Sequence, residues 1–200
     1  EVMFEMDADF SHDPKVISEF MKKIKGGADF VIGSRYIKGG SIPDNWGLHR
    51  KIFSVIGNLI VRFGLGIFKI HDWTSGYRAI RSEVFQKVGG HLDQYSGYTF
   101  QVVFLHRAYK AGFNMAEVPI QFTDRKFGHS KIAPFDYIKN ILLYVFFNST
   151  FIKYVIVGGI SFIINAVVLE IFYRMGFNPG IAAAIGAEIA IVWNYNLNNL

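Results

Sequence analysis

The 200-residue sequence predicts an α/β layer domain followed by α-helical transmembrane segments. Three observations carry that expectation. Strand-like runs alternate with helical patterns in a strand–helix–strand order near the N-terminus. Charge is unevenly spread: residues 1–150 hold 19 Lys and Arg against 14 Asp and Glu, whereas 151–200 hold two of each, so the formal +5 belongs wholly to the first three quarters. Residues 154–173 then run for 20 positions with no Lys or Arg and one acid, Glu170. As a helix that stretch spans roughly 30 Å, the thickness of a bilayer's hydrocarbon core. A composition of 51% hydrophobic and 18% charged residues argues against disorder and against a freely soluble chain. Without cysteine, a disulfide scaffold, a thiolate metal cluster and a Cys nucleophile are excluded.

Each element follows in order. Val2, Phe4 and Met6 alternate with other residues and lead into Asp7-Ala8-Asp9, so a strand ends where the acids begin. Pro14 to Ile24 reads as a helix, with Asp13 as N-cap, Pro14 at the first position and an apolar stripe of Val16, Ile17, Phe20, Met21 and Ile24. Gly26-Gly27 ends it, and Ala28 to Gly33 is a short buried strand. After a Gly-, Pro- and Asn-rich loop over 38–47, Ile52, Val55, Ile56, Leu59, Ile60 and Phe63 mark an amphipathic helix from about Arg50 to Phe63. Val84 to Val88 and Phe100 to Ala111 read as helices, and Ala116 to Thr123 as a strand. Phe135 to Phe147 forms an apolar-faced helix suited to a membrane surface. Lys153 and Arg174 bracket the first membrane span, and Asn178-Pro179-Gly180 turns the chain into a second apolar segment, Ile181 to Trp193. The chain opens on Glu1 directly before a strand, which reads as an internal piece of a longer protein.

Two features carry chemistry. Asp7 and Asp9, on alternate positions at a strand's carboxyl end, can hold one hard divalent cation that bridges a nucleotide diphosphate. Taken alone, the bare triplet reads more readily as solvated loop acids, and its place at a strand's carboxyl end is what favours a ligand site. The second feature is a set of cations at loop positions: Arg35 after Ile32-Gly33-Ser34, Arg50 and Lys51 at a helix start, and Arg125 and Lys131 around the flexible Gly128. Arginine's fork matches phosphate oxygens. Solubility, or attraction to anionic headgroups for Arg50 and Lys51, explains such cations as well.

Together these residues resemble a known family. Met6-Asp7-Ala8-Asp9-Phe10-Ser11-His12, Gly33-Ser34-Arg35-Tyr36, Thr74-Ser75-Gly76-Tyr77-Arg78, Glu117-Val118-Pro119-Ile120, and Asp124-Arg125 through Gly128-His129-Ser130-Lys131 occur in this order. The set resembles the polyprenol-phosphate (dolichol-phosphate) mannose synthases of glycosyltransferase family 2. The tail, with Phe151-Ile152-Lys153-Tyr154, Val157-Gly158-Gly159 and Asn194-Tyr195-Asn196, is similar to a GtrA-like membrane domain.

The resemblance implies the C-terminal part of a GT-A, Rossmann-like glycosyltransferase domain over 1–131, an interfacial helix and linker over 132–150, and a truncated GtrA-like transmembrane domain over 151–200. The implied reaction is metal-dependent, inverting transfer of mannose from GDP-mannose to a polyprenyl phosphate. Asp7, Asp9 and Ser11 would hold Mg²⁺ or Mn²⁺, although many relatives have Gln where Ser11 stands. Ala8 would join both aspartates at the nucleotide sugar. Arg35 and Arg125 would bind phosphate, with Lys131 assisting at the diphosphate or the acceptor phosphate. Asp9, Arg125 and Lys131 are the implied catalytic residues. Many relatives also have Glu where Val103 stands, so any role of that carboxylate is lost.

An anionic lipid phosphate needs no general base, and no Ser-His-Asp arrangement is expected. His12, His49, His71 and His129 read as surface or packing residues, His129 being the one worth testing. Glu170 and Glu188, inside apolar segments, are expected to face a protein interior or a polar path. The expected partners are a sugar nucleotide, a polyprenyl phosphate and the bilayer, with no nucleic acid. The expected location is a multi-pass membrane protein with its catalytic domain on the cytoplasmic side. UDP-glucose or another donor, and a non-catalytic membrane adaptor or carrier, are the rival readings.

Overall fold

The computed structural model describes residues 1–95, 98–124 and 134–199. The chain divides into two compact units, one of Glu1–Phe63 with Ile67–Val145 and a second made chiefly of the residues from Phe146 onward.

The first unit is built on a four-stranded sheet in the order β1-β3-β2-β4, formed by Val2–Glu5, Arg78–Arg81, Phe30–Ser34 and Met115–Pro119. β3 runs antiparallel to both neighbours, while β2 and β4 are parallel. Every residue of β2 is buried, as expected of a strand covered on both faces. On one face α1, Ile17–Lys25, packs Phe20 and Ile24 against Val31, Tyr77, Ala79 and Val118. Phe104 of α4, Tyr98–Lys110, meets Phe30 of β2 and Phe85 of α3, Ser82–Val88, edge to face. Gly33 is required where these layers close: a Cβ there would lie 2.9 Å from Ile120 and 3.1 Å from Phe20.

The local signals worked where they were local. Asp13 accepts a hydrogen bond from the Lys15 N–H at 2.9 Å and Pro14 opens a short 3-10 turn that runs into α1. The amphipathic pattern forms α2, Leu48–Leu65, and the later one forms α5, Pro134–Asn148. Two expectations change. The strand expected over Ala116–Thr123 is the shorter β4, because Pro119 lacks the N–H that a ladder needs, and beyond it Gln121 makes only an isolated bridge to Ser41. β3 has no counterpart in the sequence reading, since four residues with arginine at each end show no strand-like alternation.

In the second unit, α6 (Thr150–Arg174) and α7 (Pro179–Asn198) form a helical pair. Ser149 caps α6 through the Ile152 N–H, and Asn178 caps α7 through that of Gly180. Among the described residues α6 is the helix long and apolar enough to cross a membrane, with a mean hydropathy of 2.3. Gly186 permits the close approach, since a Cβ there would sit 2.5 Å from Asn165 Oδ1. Of the two expected surroundings for Glu170 and Glu188, a protein interior or a polar path, the interior is not what the described residues provide. Glu170 stands one turn from the end of α6, exposed, and pairs with Arg174 at 2.6 Å, while Glu188 is exposed on α7.

Candidate active site

The loop that leaves β1 is held by its own polar groups. The Asp7 N–H donates to His12 Nδ1 at 3.2 Å, and the Ser11 N–H donates to Asp9 Oδ1 at 3.0 Å, joined there by the Ser11 hydroxyl. Phe10 adopts a positive φ of 65° between them. Thr123 ties the loop down from outside, its N–H donating to the Ser11 carbonyl. His12 is buried, stacked on Tyr77 with ring centroids 4.8 Å apart, and burial pulls its pKa below the ordinary value. His12 is therefore both a packing residue and a polar contact of the acidic loop.

This loop borders a cavity of about 530 Å³ that takes in Asp7, Ala8, Asp9, Arg35, Arg50 and Thr74. Gly76 belongs to the same wall, where a Cβ would meet Gln101 Nε2 at 3.0 Å. Glu5 lies there too, its pKa raised by burial against the pull of Arg78, whose Nε is 3.9 Å away. Arg78 is fully buried and donates to the carbonyls of Ser75, Gln101 and Trp73, so it braces the wall from behind.

The donor set fits a hard divalent cation. Asp7 and Asp9 supply two carboxylates to one polar cavity, and among the described residues no group of three or more His, Cys, Asp and Glu could form an all-protein cage. Two carboxylates completed by substrate phosphates and water are the usual way magnesium is held. Ser11 is buried, is not among the residues lining the cavity, and donates to Asp9, so its visible role is to fix that carboxylate.

A second, mostly apolar cavity of about 320 Å³ lies between α2 and α5, lined by Phe53, Ile56, Ile60, Ile138, Ile141 and Leu142 among others. Arg35, Trp46, Arg50 and Thr74 border both cavities. Arg50 stacks on the Trp46 ring at 3.8 Å and reaches Asp124 at 3.2 Å. Lys51 instead donates to the Asp44 carbonyl and borders neither cavity. The structure thus separates two neighbouring cations that the sequence left equivalent.

Arg35 is held by a residue the sequence reading passed over. Asp72, fully buried, accepts from Arg35 Nε and Nη2 at 2.7 Å each and from the Arg35 N–H at 3.0 Å. The only hint in the sequence was an acid placed between Ile70 and Trp73. Arg125, His129 and Lys131 lie outside the described residues. Asp7, Ala8, Asp9 and Arg35 are brought together around one cavity.

These features place the protein in a class: an α/β protein with a polar cleft lined by carboxylates and arginines next to an apolar groove, on a chain that also carries a membrane-length helix. Residues 1–89 match glycosyl transferase family 2, and residues 153–200 match GtrA/DPMS, transmembrane domain. The chain belongs to glycosyl transferase family 2, with a GtrA/DPMS transmembrane segment behind that part. It is 45% identical to the polyprenol monophosphomannose synthase of Mycolicibacterium smegmatis over 66% of this chain and 49% of that protein. It is 38% identical to the undecaprenyl-phosphate mannosyltransferase of Micrococcus luteus over 66% of this chain and 54% of that one. With the dolichol-phosphate mannosyltransferase of Pyrococcus furiosus it shares 31% identity over 100% of this chain and 57% of the relative. The chain spans about half the length of these relatives.

Proposed function

We propose that the chain is part of a membrane-bound glycosyltransferase that moves mannose from GDP-mannose to a polyprenyl phosphate. The observation that supports this most is the pair of adjoining cavities, one polar and bordered by Asp7 and Asp9, the other apolar, sharing Arg35, Trp46, Arg50 and Thr74. A sugar nucleotide is polar and multiply charged, whereas the acceptor has one anionic end and a long hydrocarbon tail. A polar anion site at the mouth of an apolar groove brings such unlike partners into reacting distance.

In the proposed reaction a phosphate oxygen of the acceptor bonds to the anomeric carbon as the bond from that carbon to the diphosphate breaks. The configuration inverts and the electron pair leaves with the diphosphate. The attacking phosphate is already anionic near neutral pH, so no side chain has to remove a proton. Asp7 and Asp9 would hold Mg²⁺ or Mn²⁺, which supplies positive charge for the departing diphosphate. Arg35 and Arg50 meet the acceptor phosphate where the groove opens, offsetting repulsion between two anions. Arg125 and Lys131 are assigned to phosphate by the resemblance. The exposed apolar stripe of α2 rests on the bilayer, α6 crosses it, α7 returns, and the cleft faces the cytoplasm.

The test uses the intact protein in lipid bilayers, a panel of labelled sugar nucleotides and a polyprenyl phosphate. GDP-mannose is the expected donor, and Asp9→Asn lowers turnover by about 100-fold or more, the scale of removing an electrostatic contact to the transition state. A preference for UDP-glucose would overturn the donor. Turnover unchanged by both Asp7→Asn and Asp9→Asn would favour an adaptor.

A further inference from the structure

Three side chains that line the polar cavity, Glu5, Phe100 and Gln101, hold neither metal nor phosphate in the reaction proposed above. Glu5 ends β1 two residues before Asp7, and its side chain remains 35% exposed. The cation behind it, Arg78, has its Nε 3.9 Å away, beyond hydrogen-bond reach, and spends Nε, Nη1 and Nη2 on the carbonyls of Ser75, Gln101 and Trp73. The Gln101 side-chain amide is the donor that acts on the Glu5 carboxyl. That amide also faces Asp7 across Gly76. A Cβ on Gly76 would lie 3.0 Å from Gln101 Nε2 and 3.6 and 3.8 Å from the two Asp7 carboxylate oxygens. The glycine therefore leaves a gap in the cavity wall between an amide and a carboxylate. Turned this way, Gln101 keeps its Oε1 buried without a partner, a cost that an apolar side chain would not carry.

We infer that Glu5, Gln101 and Phe100 form the subsite for the transferred sugar, with Glu5 accepting hydrogen bonds from its hydroxyls. The inference rests on the function proposed above. A carboxylate repels phosphate, and Glu5 does not complete a metal cage with Asp7 and Asp9, because no three such acids come together among the described residues. What a carboxylate with spare acceptor capacity takes is a neutral group rich in O–H donors. In the reaction the sugar is the group flanked by both anions, the departing diphosphate and the attacking phosphate. The cavity that Glu5 lines also takes in Asp7 and Asp9, assigned to the first, and Arg35 and Arg50, assigned to the second. Phe100 adds an aromatic surface for the C–H face of a hexose ring, and the gap at Gly76 gives that ring room against the wall.

The experiment uses the intact protein in bilayers with the donor that the panel above selects, expected to be GDP-mannose, a set of its monodeoxy analogues, and GDP as an inhibitor. Glu5→Gln is expected to lower kcat/KM for GDP-mannose about 30-fold, the scale of a hydrogen bond to a charged group. The inhibition constant of GDP, which lacks the sugar, stays within about two-fold, as does the KM for polyprenyl phosphate. In the wild type, the analogue without the hydroxyl that Glu5 receives loses at least as much as the variant does with GDP-mannose. In Glu5→Gln the same analogue loses no more than about two-fold further, because the partner of that hydroxyl is already gone. Gln101→Met removes the amide and its orphan oxygen together and gives the same split at about ten-fold, so it decides should Glu5→Gln not fold. GDP weakened as much as GDP-mannose would assign Glu5 to the nucleoside or the metal and overturn the subsite. An analogue series with equal losses in wild type and variant would overturn it too, and both results leave the proposed reaction intact. Failure of the wild type to transfer sugar from any donor would remove that reaction, and the subsite with it.

Discussion

Helices α1 and α2 have the same kind of sequence pattern and opposite fates. Phe20 and Ile24 of α1 vanish into the sheet, whereas on α2 the stripe of Ile52, Val55, Ile56, Leu59, Ile60 and Phe63 stays exposed, with Phe63 at 64%. The side of α2 that is buried carries Val61 and a polar residue, Asn58. Asn58 Oδ1 accepts the Trp73 N–H at 2.7 Å, and its Nδ2 donates to the Ser54 carbonyl. An apolar stripe is thus a demand for an apolar neighbour, and the sheet is only one candidate. A contiguous exposed stripe marks an interaction surface, for which the bilayer and the lipid-tail groove are the proposed occupants.

The contrast breaks most easily at α1. Phe20→Ala should cost about 3–5 kcal/mol, the range for deleting a buried aromatic ring, read as a lower urea midpoint. Next comes the buried side of α2. Asn58→Ala strands a buried N–H and should cost about 1–3 kcal/mol. α5 combines both behaviours: Ile141 and Val145 are buried, Leu142 and Leu143 are exposed, and Tyr144 meets His106 of α4 at 2.8 Å. Burial pulls the His106 pKa to about 4 from 6.5 and pushes that of Tyr144 to about 12. The unfolded chain therefore binds a proton that the folded one refuses, and stability falls as pH drops from 6.5 toward 4. The loss should reach about 2 kcal/mol at pH 5, and His106→Gln should flatten that slope in urea titrations at the two pH values. Smallest in stability is Phe53→Ser on the open stripe of α2. It should leave the unfolding midpoint within about 0.5 kcal/mol while raising the KM for polyprenyl phosphate in bilayers. A midpoint drop like that of Phe20→Ala would erase the distinction between the two helices.

Legibility followed the range of each interaction. The cap at Asp13, the break at Gly26-Gly27, the ends of α5 to within one residue and the long apolar run inside α6 are written within a few residues of where they act, and the structure has them. The paired acids at the end of β1 were legible for the same reason, because the sequence shows both the strand's alternation and its stop. β3 was not, since its partners on β2 and β1 lie from 46 to 79 residues upstream and its own four residues contain Arg78, which no hydrophobic pattern marks as buried. Asp72 was missed as part of the site because it acts on a partner tens of residues distant. Glu5 was overlooked because in a lone strand either face can be the inner one.

By itself the sequence determined which segments are helical, where the acids stand and which stretch has the length and apolarity of a membrane span. Those properties depend on residue type and period, which a linear chain displays. Only the tertiary structure decided that Arg35 is gripped by Asp72, that Arg50 and not Lys51 borders the cavities, and that the stripe of α2 is left uncovered. Each of these depends on which distant surface a side chain meets, and the ordering of the sheet, with β3 inserted between β1 and β2, is what sets those meetings.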